Sequence, residues 1–225
     1  MPDPLPPSYF ARPTLEVARD LLGALLVYDS PDDGRLAGRI VETEAYLEDD
    51  PAMHGWKAVF GTDGRVQEAG RAAGLFAPPG TAYVYKIYGA HWLLNVVTEP
   101  EGTAGAVLIR AVEPVEGEAA MAANRPPSVR RRRDLTNGPG KLTQAMGLSE
   151  APDAVRSRFH QTNLTTPPLF FAAGDAVPDA AVAKTSRIGI SRGIDLDYRF
   201  VVADSPFVSP GVPSDLRVAR KTHRR

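Results

Sequence analysis

Two carboxylates and a phenol alternate along one short stretch, as Glu42, Glu44 and Tyr46 within GRIVETEAYL at 38–47. If the stretch is a strand, its period of two puts these side chains on one face with Ile40 and leaves positions 41, 43, 45 and 47 for the core. Glutamate is depleted in strands, and a desolvated carboxylate next to a second one suits general acid–base catalysis. A solvent-facing polar strip is the alternative that this stretch alone leaves open.

A second concentration combines aromatic rings with polar tips in TAYVYKIYGAHW at 81–92. Strand alternation puts Tyr83 and Tyr85 on one face, while Tyr88 precedes a two-residue hairpin turn, Gly89-Ala90. Such rings stack on bases or sugars, and a side chain at a hairpin tip can act as a wedge. Ordinary strand aromatics are the competing interpretation.

Polar residues also interrupt two apolar runs, Asn95 in WLLNVV and Arg110 in AVLIRAV. A buried amide or guanidinium needs a partner, so two such residues in adjacent strands predict one shared polar pocket, with a purely structural pairing as the alternative. His54, in the loop DPAMHG, is a candidate base, stacking ring or surface residue.

Three residues around a predicted helix start, Gly138, Gly140 and Lys141, could offer backbone N–H groups and a cation to a phosphate. A plain helix start explains them equally well. The four histidines show no metal-ligand spacing, and no phosphate-binding glycine motif is present.

The elements that must position these residues are those of an α+β fold. We predict helices at 14–22 (with Thr14 as N-cap), 67–73, 114–124 and 139–147, and strands at 24–28, 36–47, 81–88, 91–98, 105–113, 168–172, 186–190 and 198–203. Because short turns join successive strands, the sheet is expected to be antiparallel.

Composition limits the function classes. The chain has 225 residues, of which 43% are hydrophobic and 24% charged, as in one ordinary globular domain. It has no cysteine, which excludes disulfides, thiolate metal sites and a cysteine nucleophile. Without an apolar run of about 18 residues or a signal-peptide pattern, we expect a cytoplasmic protein that does not span a membrane.

The net charge of −1 gives no sign of a nucleic-acid partner, but it hides an asymmetry. Residues 1–60 hold eleven acids and five bases, whereas 121–145 hold six bases and one acid. The last twelve residues hold five bases and one acid. These two basic segments form either a local anion-binding surface or a solvated loop, Arg130–Arg133, and a solvated tail.

Several strings resemble the alkyladenine (3-methyladenine) DNA glycosylases of base-excision repair. In family order they are VARDLLG (17–23), GRIVETEAYL (38–47), DPAMHG (50–55), PPGTAYVYKIYGAHWLLNVV (78–97), AVLIRAVEP (106–114), NGPGKLTQAMGL (137–148) and RIGI (187–190). The resemblance implies one compact domain with a curved antiparallel sheet, surrounding helices and a protruding β-hairpin. We expect an N-terminal extension at 1–13, the glycosylase domain at 14–208 and a basic, mobile tail at 209–225.

The resemblance also implies catalytic roles. Glu44 matches the glutamate that activates water for attack on C1′, and Arg110 and the main-chain carbonyl of Ile188 match groups that hold this water. No lysine or amino-terminal proline stands in the nucleophile's place, so a monofunctional hydrolase without metal or organic cofactor is expected.

The other implied roles concern the damaged base, which the family flips out of the duplex. Tyr46, His54 and Tyr85 match the pocket around it, with the His54 amide reading the purine 6-position. Asn95 matches the residue that discourages guanine, and Tyr88 the wedge that fills the vacated stack.

The expected substrate is damaged double-stranded DNA carrying 3-methyladenine, 7-methylguanine, hypoxanthine or ethenoadenine, bound by a monomer. A non-catalytic damaged-DNA-binding module of the same fold and a hydrolase of free nucleosides are the alternatives. One departure from the family is the lengthened stretch at 61–76, where Ala72 and Ala73 follow Arg71 in place of a TxRN-like motif.

Overall fold

The computed structural model describes residues 3–54, 59–60, 66–68, 70–149 and 157–214. The described chain forms the helices α1 (Pro7–Phe10), α2 (Thr14–Asp20), α3 (Glu118–Ala123) and α4 (Pro139–Ala145), and three 3₁₀ helices at Gly70–Phe76, Arg132–Asp134 and Asp179–Ala181. Its strands are β1 (Leu25–Ser30), β2 (Gly34–Leu47), β3 (Val59–Phe60), β4 (Val66–Glu68), β5 (Ala82–Ile87), β6 (His91–Val97), β7 (Gly105–Glu116), β8 (Leu169–Ala172), β9 (Val182–Thr185) and β10 (Arg199–Val202).

One antiparallel sheet dominates the fold, in the order β5-β6-β7-β2-β1-β8. The long strand β2 pairs along one edge with β7 and along the other with β1 and then β10, which in turn pairs with β9. Helices α2, α3 and α4 pack on one face of the sheet, and their apolar side chains form a buried core with Leu26, Ile40 and Ile109. The expected α+β domain with a curved antiparallel sheet is confirmed.

Paired bulges interrupt the register of β2 and β7. Ile40 pairs with Val112 and Glu42 with Ala111, so Val41 is the extra residue on β2. The next pair is Thr43 with Ile109, which makes Arg110 the extra residue on β7.

The first bulge overturns part of the predicted alternation. The prediction that Ile40 shares a face with Glu44 is wrong. Ile40 lies in the main core with Ala45, while Val41 packs on the opposite side with Ala111 and Phe207. A bulge shifts the side-chain period by one residue and can re-aim a side chain.

The hairpin β5–β6 has a longer loop than predicted. Ile87 pairs with His91, so the loop has three residues, Tyr88 to Ala90, and not the two of Gly89-Ala90. Tyr88 and Gly89 both have positive φ, 49° and 68°, and the Ala90 amide donates to the carbonyl of Ile87.

Four element boundaries differ from the predictions. β7 continues through Pro114, which pairs with Gly38, so the helix expected at 114–124 begins only at Glu118. The prediction of a strand at 186–190 is wrong, because these residues form an irregular segment. The strand in this region is β9, which ends at Thr185. Thr14 is the first helical residue and not the N-cap, since Pro13 holds that position. The helix expected at 67–73 is a 3₁₀ helix at Gly70–Phe76.

Both ends of the described chain pack on the domain. Near the N-terminus, the Leu5 amide donates to the carbonyl of Phe171, and Phe10 is fully buried. Near the C-terminus, Ser209 and Ser214 are buried. Packing therefore extends into both segments expected to lie outside the domain, whereas 215–225, with most of the basic tail, lie outside the described residues.

Candidate active site

Glu44 is a fully buried carboxylate with both oxygens engaged. Its Oε1 accepts a hydrogen bond from the backbone N–H of Ile188 at 2.7 Å. Its Oε2 accepts from the hydroxyl of Tyr46 at 3.0 Å and from Nη1 of Arg110 at 3.1 Å. Three donors from three different segments thus hold one carboxylate in one orientation.

The partners of Glu44 lie at an open cleft of about 510 Å³, whose walls include Tyr46, Arg110 and Ile188. This volume suits a small-molecule-sized group such as a nucleotide. Burial, and then the nearby Glu44 and Tyr85, raise the pKa of Tyr46 well above that of an ordinary phenol. Tyr46 therefore keeps its proton at neutral pH and acts as a donor.

A second carboxylate, Glu42, lies behind Arg110 and is also fully buried. Its Oε1 accepts from Nε of Arg110 and Nε of Arg199, both at 2.8 Å, and from Oγ of Ser209 at 2.7 Å. Its Oε2 accepts from the amide of Ser209 at 2.6 Å. Burial raises the pKa of Glu42, but the two guanidiniums and the Ser209 amide outweigh it and hold that pKa below the usual value.

Arg110 therefore bridges two carboxylates. Burial lowers the pKa of Arg110, yet Glu44 and Glu42 more than offset this and raise the pKa above its usual value. Its position follows from the bulge on β7, which leaves Ile109 in the core and turns Arg110 to the opposite side. The guanidinium is permanently charged and geometrically fixed by both partners.

Arg187 lies directly before Ile188 and is fully buried. Its Nη2 donates to Oδ1 of Asp50 at 2.9 Å, and its Nη1 donates to Oδ2 of Asp50 and to the carbonyl of Ala45. The guanidinium also lies 4.6 Å from the centroid of the Tyr46 ring. Arg187 thus ties the Tyr46 ring to Asp50, in the loop that carries His54.

An aromatic recess adjoins the cleft and shares Tyr46, His54 and Tyr85 with it. The His54 ring lies 4.6 Å from the Tyr85 ring, and Nδ1 of His54 is 2.8 Å from the hydroxyl of Tyr83. Asn95 lines the recess, where its Nδ2 donates to the carbonyl of Tyr83 at 2.9 Å. The recess itself has a free volume of only about 20 Å³, so a flat heterocycle held by the rings of Tyr46, His54 and Tyr85 would lie on their side of the larger cleft.

Tyr88 projects from the tip of the β5–β6 hairpin at the mouth of this cleft. It is 90% exposed, far more than any other large hydrophobic side chain in the described part of the chain. An exposed ring held on a strained left-handed backbone is typical of a functional position.

Comparison with known proteins agrees with this geometry. The family model of the methylpurine-DNA glycosylases matches residues 8–206. A protein of Salinibacter ruber named "Putative 3-methyladenine DNA glycosylase" is 60% identical over 213 residues, which are 94% of this chain and 99% of that protein. Proteins of the same name from Prosthecochloris aestuarii and Myxococcus xanthus are 44% and 43% identical, over 92% and 95% of this chain and 91% and 97% of their own length.

The chain belongs to the methylpurine-DNA glycosylase family. It is therefore a DNA glycosylase, a hydrolase of N-glycosyl bonds that acts in DNA repair on a DNA substrate. None of its described helices is both long and apolar enough to cross a membrane.

Most residues that the sequence singled out meet at this candidate site. The cleft walls include Tyr46, His54, Tyr85, Tyr88 and Arg110, and Asn95 lies in the adjoining recess and not beside Arg110. At Ile188, the backbone amide contacts Glu44, and the expected role of the carbonyl, to hold the water, stays a prediction.

The candidate DNA-backbone residues lie next to the cleft, whose wall includes Pro139. Nζ of Lys141 donates to Oδ1 of Asn137 at 2.7 Å. Gly140 lies against the hairpin, where an added Cβ would approach the His91 side chain to 2.9 Å. A Cβ added at Gly138 would meet the Lys141 side chain at an ordinary contact distance of 3.6 Å.

An arginine of the Arg-rich loop forms ion pairs with acidic side chains of the protein itself. Arg132 pairs with Glu113 and Glu118, and its guanidinium lies 4.8 Å from the centroid of the Phe207 ring. The charge of Arg132 is therefore paired with two carboxylates of the protein itself.

Sequence reasoning missed the supporting residues. Glu42 was noticed only as a neighbour of Glu44, while Arg187, Arg199 and Ser209 carried no assigned role. The only sequence signal that could have pointed to these residues was the position of Arg187 and Arg199, each close to an apolar segment. Within the described ranges, no group of three or more His, Asp or Glu side chains is arranged to hold a metal ion.

Proposed function

We propose that Glu44 is the general base of a monofunctional glycosylase that hydrolyses the N-glycosidic bond of a damaged purine in double-stranded DNA. The observation that carries this proposal is the Glu44 carboxylate, buried and oriented by Ile188, Tyr46 and Arg110, which all line one open cleft. Holding a carboxylate this firmly before substrate binds reduces the reorganisation needed during catalysis.

The reaction needs only water as co-reactant. The water oxygen forms a bond to C1′ of the deoxyribose as the bond from C1′ to the purine nitrogen breaks. The electron pair of that bond stays on the base, and Glu44 accepts a proton from the water. A cationic base leaves as a neutral molecule, whereas a neutral base such as hypoxanthine leaves as an anion that takes up one proton, equal in number to the proton that Glu44 removes from the water. The products are the free base and an abasic site with a hydroxyl at C1′. Because no covalent enzyme–sugar bond forms, strand cleavage by the enzyme is not expected.

Arg110 and Ile188 support this step in different ways. Arg110 lines the cleft and donates to Glu44, so it can orient the carboxylate while also facing the water. The carbonyl of Ile188 is proposed as an acceptor for the same water, with the neighbouring amide fixing Glu44. This division keeps one oxygen lone pair of the water directed at C1′.

The proposed pocket of the flipped base is the part of the cleft lined by Tyr46, His54 and Tyr85, with Asn95 in the adjoining recess. Alkylated purines such as 3-methyladenine are cationic, and electron-rich rings attract cations by about 0.5–2 kcal/mol each. The positive charge also makes the base a good leaving group. Asn95 is proposed to disfavour guanine through its exocyclic amine, and the His54 amide to read the purine 6-position.

Tyr88 is proposed to enter the duplex and fill the gap left by the flipped nucleotide. Its support is the 90% exposure at a hairpin tip beside the cleft. Unstacking a base costs a few kcal/mol, and an inserted ring offsets part of that cost. Gly138, Gly140 and Lys141, at the cleft edge, are the proposed DNA-backbone contacts of a monomeric enzyme.

The test uses a duplex with one hypoxanthine or one 3-methyladenine, incubated with excess protein, and scores abasic sites after alkali. Glu44→Gln keeps the size of the side chain and removes the base, so we expect the excision rate to fall about 10²- to 10⁴-fold. Equal excision by wild type and Glu44→Gln would refute the mechanism. Absence of excision by wild type, with damaged duplex still bound, would favour the non-catalytic module.

Two controls separate the remaining alternatives. Tyr88→Ala is expected to lose excision from duplex DNA, because the flipped state is no longer stabilised. A hydrolase of free nucleosides would cleave inosine without DNA and would be indifferent to Tyr88→Ala. Strand breaks before alkali would contradict the monofunctional reaction.

A further inference from the structure

The segment after β10 wraps back over the active-site side of the sheet, and its residues 207–214 are here called the C-terminal strap. The family model matches residues 8–206, so the strap lies beyond the match. Phe207 anchors it by packing with Val41 and Ala111. Pro210 and Pro213 restrict the residues before them to extended conformations, which stiffens the strap.

One end of the strap reaches Glu42. Ser209 donates two hydrogen bonds to it, from the amide to Oε2 at 2.6 Å and from Oγ to Oε1 at 2.7 Å. The same Oε1 accepts from Nε of Arg110, whose Nη1 donates to Glu44. Ser209 thus fixes the rotamer of the carboxylate that in turn fixes Arg110.

The other end of the strap reaches the segment of Ile188. The Ser214 amide donates to the carbonyl of Arg187 at 2.9 Å. Gly211 lies so close to Ile188 that an added Cβ would be 2.8 Å from its Cγ2 and 2.9 Å from its Cδ1. The backbone amide of Ile188 is the donor to Oε1 of Glu44, so the strap also backs the second side of the carboxylate.

We propose that the C-terminal strap is a positioning element of the active site, and that it acts through the contacts of Ser209 and Gly211. Through Glu42 and Arg110 it sets Oε2 of Glu44, and through Ile188 it sets Oε1. This inference rests on the proposed role of Glu44 as general base. It predicts that strap variants slow the chemical step more than they weaken DNA binding, because Ser209 and Gly211 contact Glu42 and Ile188, which hold the carboxylate of Glu44.

The experiment measures two quantities on the full-length protein with a hypoxanthine duplex: the single-turnover excision rate and the Kd for the same duplex. Ser209→Ala removes the hydroxyl donor and keeps the amide. We expect the excision rate to fall about 10-fold with Kd within twofold of wild type, since displacing a catalytic group by about 1 Å can cost up to 10²-fold. Ser205→Ala is the matched control, because the Ser205 hydroxyl accepts from the Phe207 amide and does not touch Glu42.

Gly211→Ala is the second variant, and it acts on the other support. The new methyl group pushes Ile188, so we expect a rate loss of about 10-fold or more, with a Kd that rises less than the rate falls although Ile188 also lines the cleft. Thermal unfolding of each variant accompanies the assays, and the rate is measured well below each Tm so that only folded protein contributes.

The outcomes separate the two levels of the proposal. The strap role is supported if Ser209→Ala and Gly211→Ala both excise more slowly than wild type while Ser205→Ala excises at the wild-type rate. If wild type is active and both strap variants excise as fast as Ser205→Ala, or if their Kd rises as much as their rate falls, the strap role is refuted while the role of Glu44 stands. If Glu44→Gln excises like wild type, both are overturned.

Discussion

Replacing Glu42 by glutamine tests how the buried charges of the site are balanced. Glu42 has no exposed surface and lies between Arg110 and Arg199, whose side chains are 7% and 6% exposed. Glutamine fills the same volume but removes the negative charge. It also turns an NH₂ group toward a donor, since both carboxylate oxygens of Glu42 now accept hydrogen bonds.

The expected loss is large because Arg199 then loses the carboxylate that it pairs with, while Arg110 keeps only Glu44. Breaking a buried ion pair by removing one partner costs about 3–5 kcal/mol. The free energy of unfolding of a domain this size is about 5–15 kcal/mol. With a wild-type value in the middle of that range, the variant stays folded at 25 °C. At about 2–4 °C per kcal/mol, the corresponding fall in Tm is about 6–20 °C.

The free energy of unfolding, measured by urea titration at several pH values, checks this. The pKa of Glu42 is held below its usual value of 4.5 in the folded protein, so its contribution is fully present above pH 4.5 and is lost as pH falls through the lower folded value. The gap between wild type and Glu42→Gln should therefore be constant from pH 8 to about pH 6 and narrow below pH 4.5.

Glu118→Gln is the control, because it removes the partner of Arg132 in an exposed ion pair that is worth at most about 1 kcal/mol. A loss below about 1 kcal/mol for Glu42→Gln at pH 7, equal to that of the control, would refute this balance of buried charges. A gap that widens toward acid would refute the direction of the pKa shift.

Three further expectations concern stability. Asp50→Asn leaves the buried Arg187 without its counter-ion and should lower the free energy of unfolding by about 3–5 kcal/mol in urea titration; a change under 1 kcal/mol would contradict the ion pair. Tyr88→Gly should keep the Tm within a few degrees of wild type while excision is lost, because Tyr88 is exposed and its φ of 49° suits glycine; a large drop in Tm would mean that Tyr88 is structural. Gly38→Ala should cost about 1–3 kcal/mol, since a Cβ would lie 2.5 Å from Cγ2 of Val112, and an unchanged Tm would disprove this close approach.

Local patterns were enough to predict a large part of the fold. The alternation in β5 placed Tyr83 and Tyr85 on one face, and both pack in the cluster beside Met53 and Leu75. The strands β1, β6, β8 and β10 were predicted to within two residues at each end. These elements are predictable because each depends on its own side-chain period and on turn residues close in sequence.

The errors occurred where a distant strand decided the local structure. Pro114 was taken as a helix start, yet it lies in β7 because its partner is Gly38. Ile40 was assigned to the wrong face because the bulge at Val41 arises only from the pairing of β2 with β7. The register between two strands that are far apart in the chain is set by their pairing. It therefore produces no pattern that can be recognised in the sequence of either strand alone.

The proposed catalytic site shows the same division. By itself, the sequence determined that Glu44 and Tyr46 share a strand face, that a tyrosine stands at a hairpin tip, and that the strings of one family run in order along the chain. Only the tertiary structure decided which groups hold Glu44. The bulge brings Arg110 beside both carboxylates, and Ile188 and Ser209 arrive from segments 144 and 167 residues away from the glutamates that they contact. A buried carboxylate takes its partners from whichever segments the fold packs against it, and that choice is not encoded in the spacing of neighbouring residues.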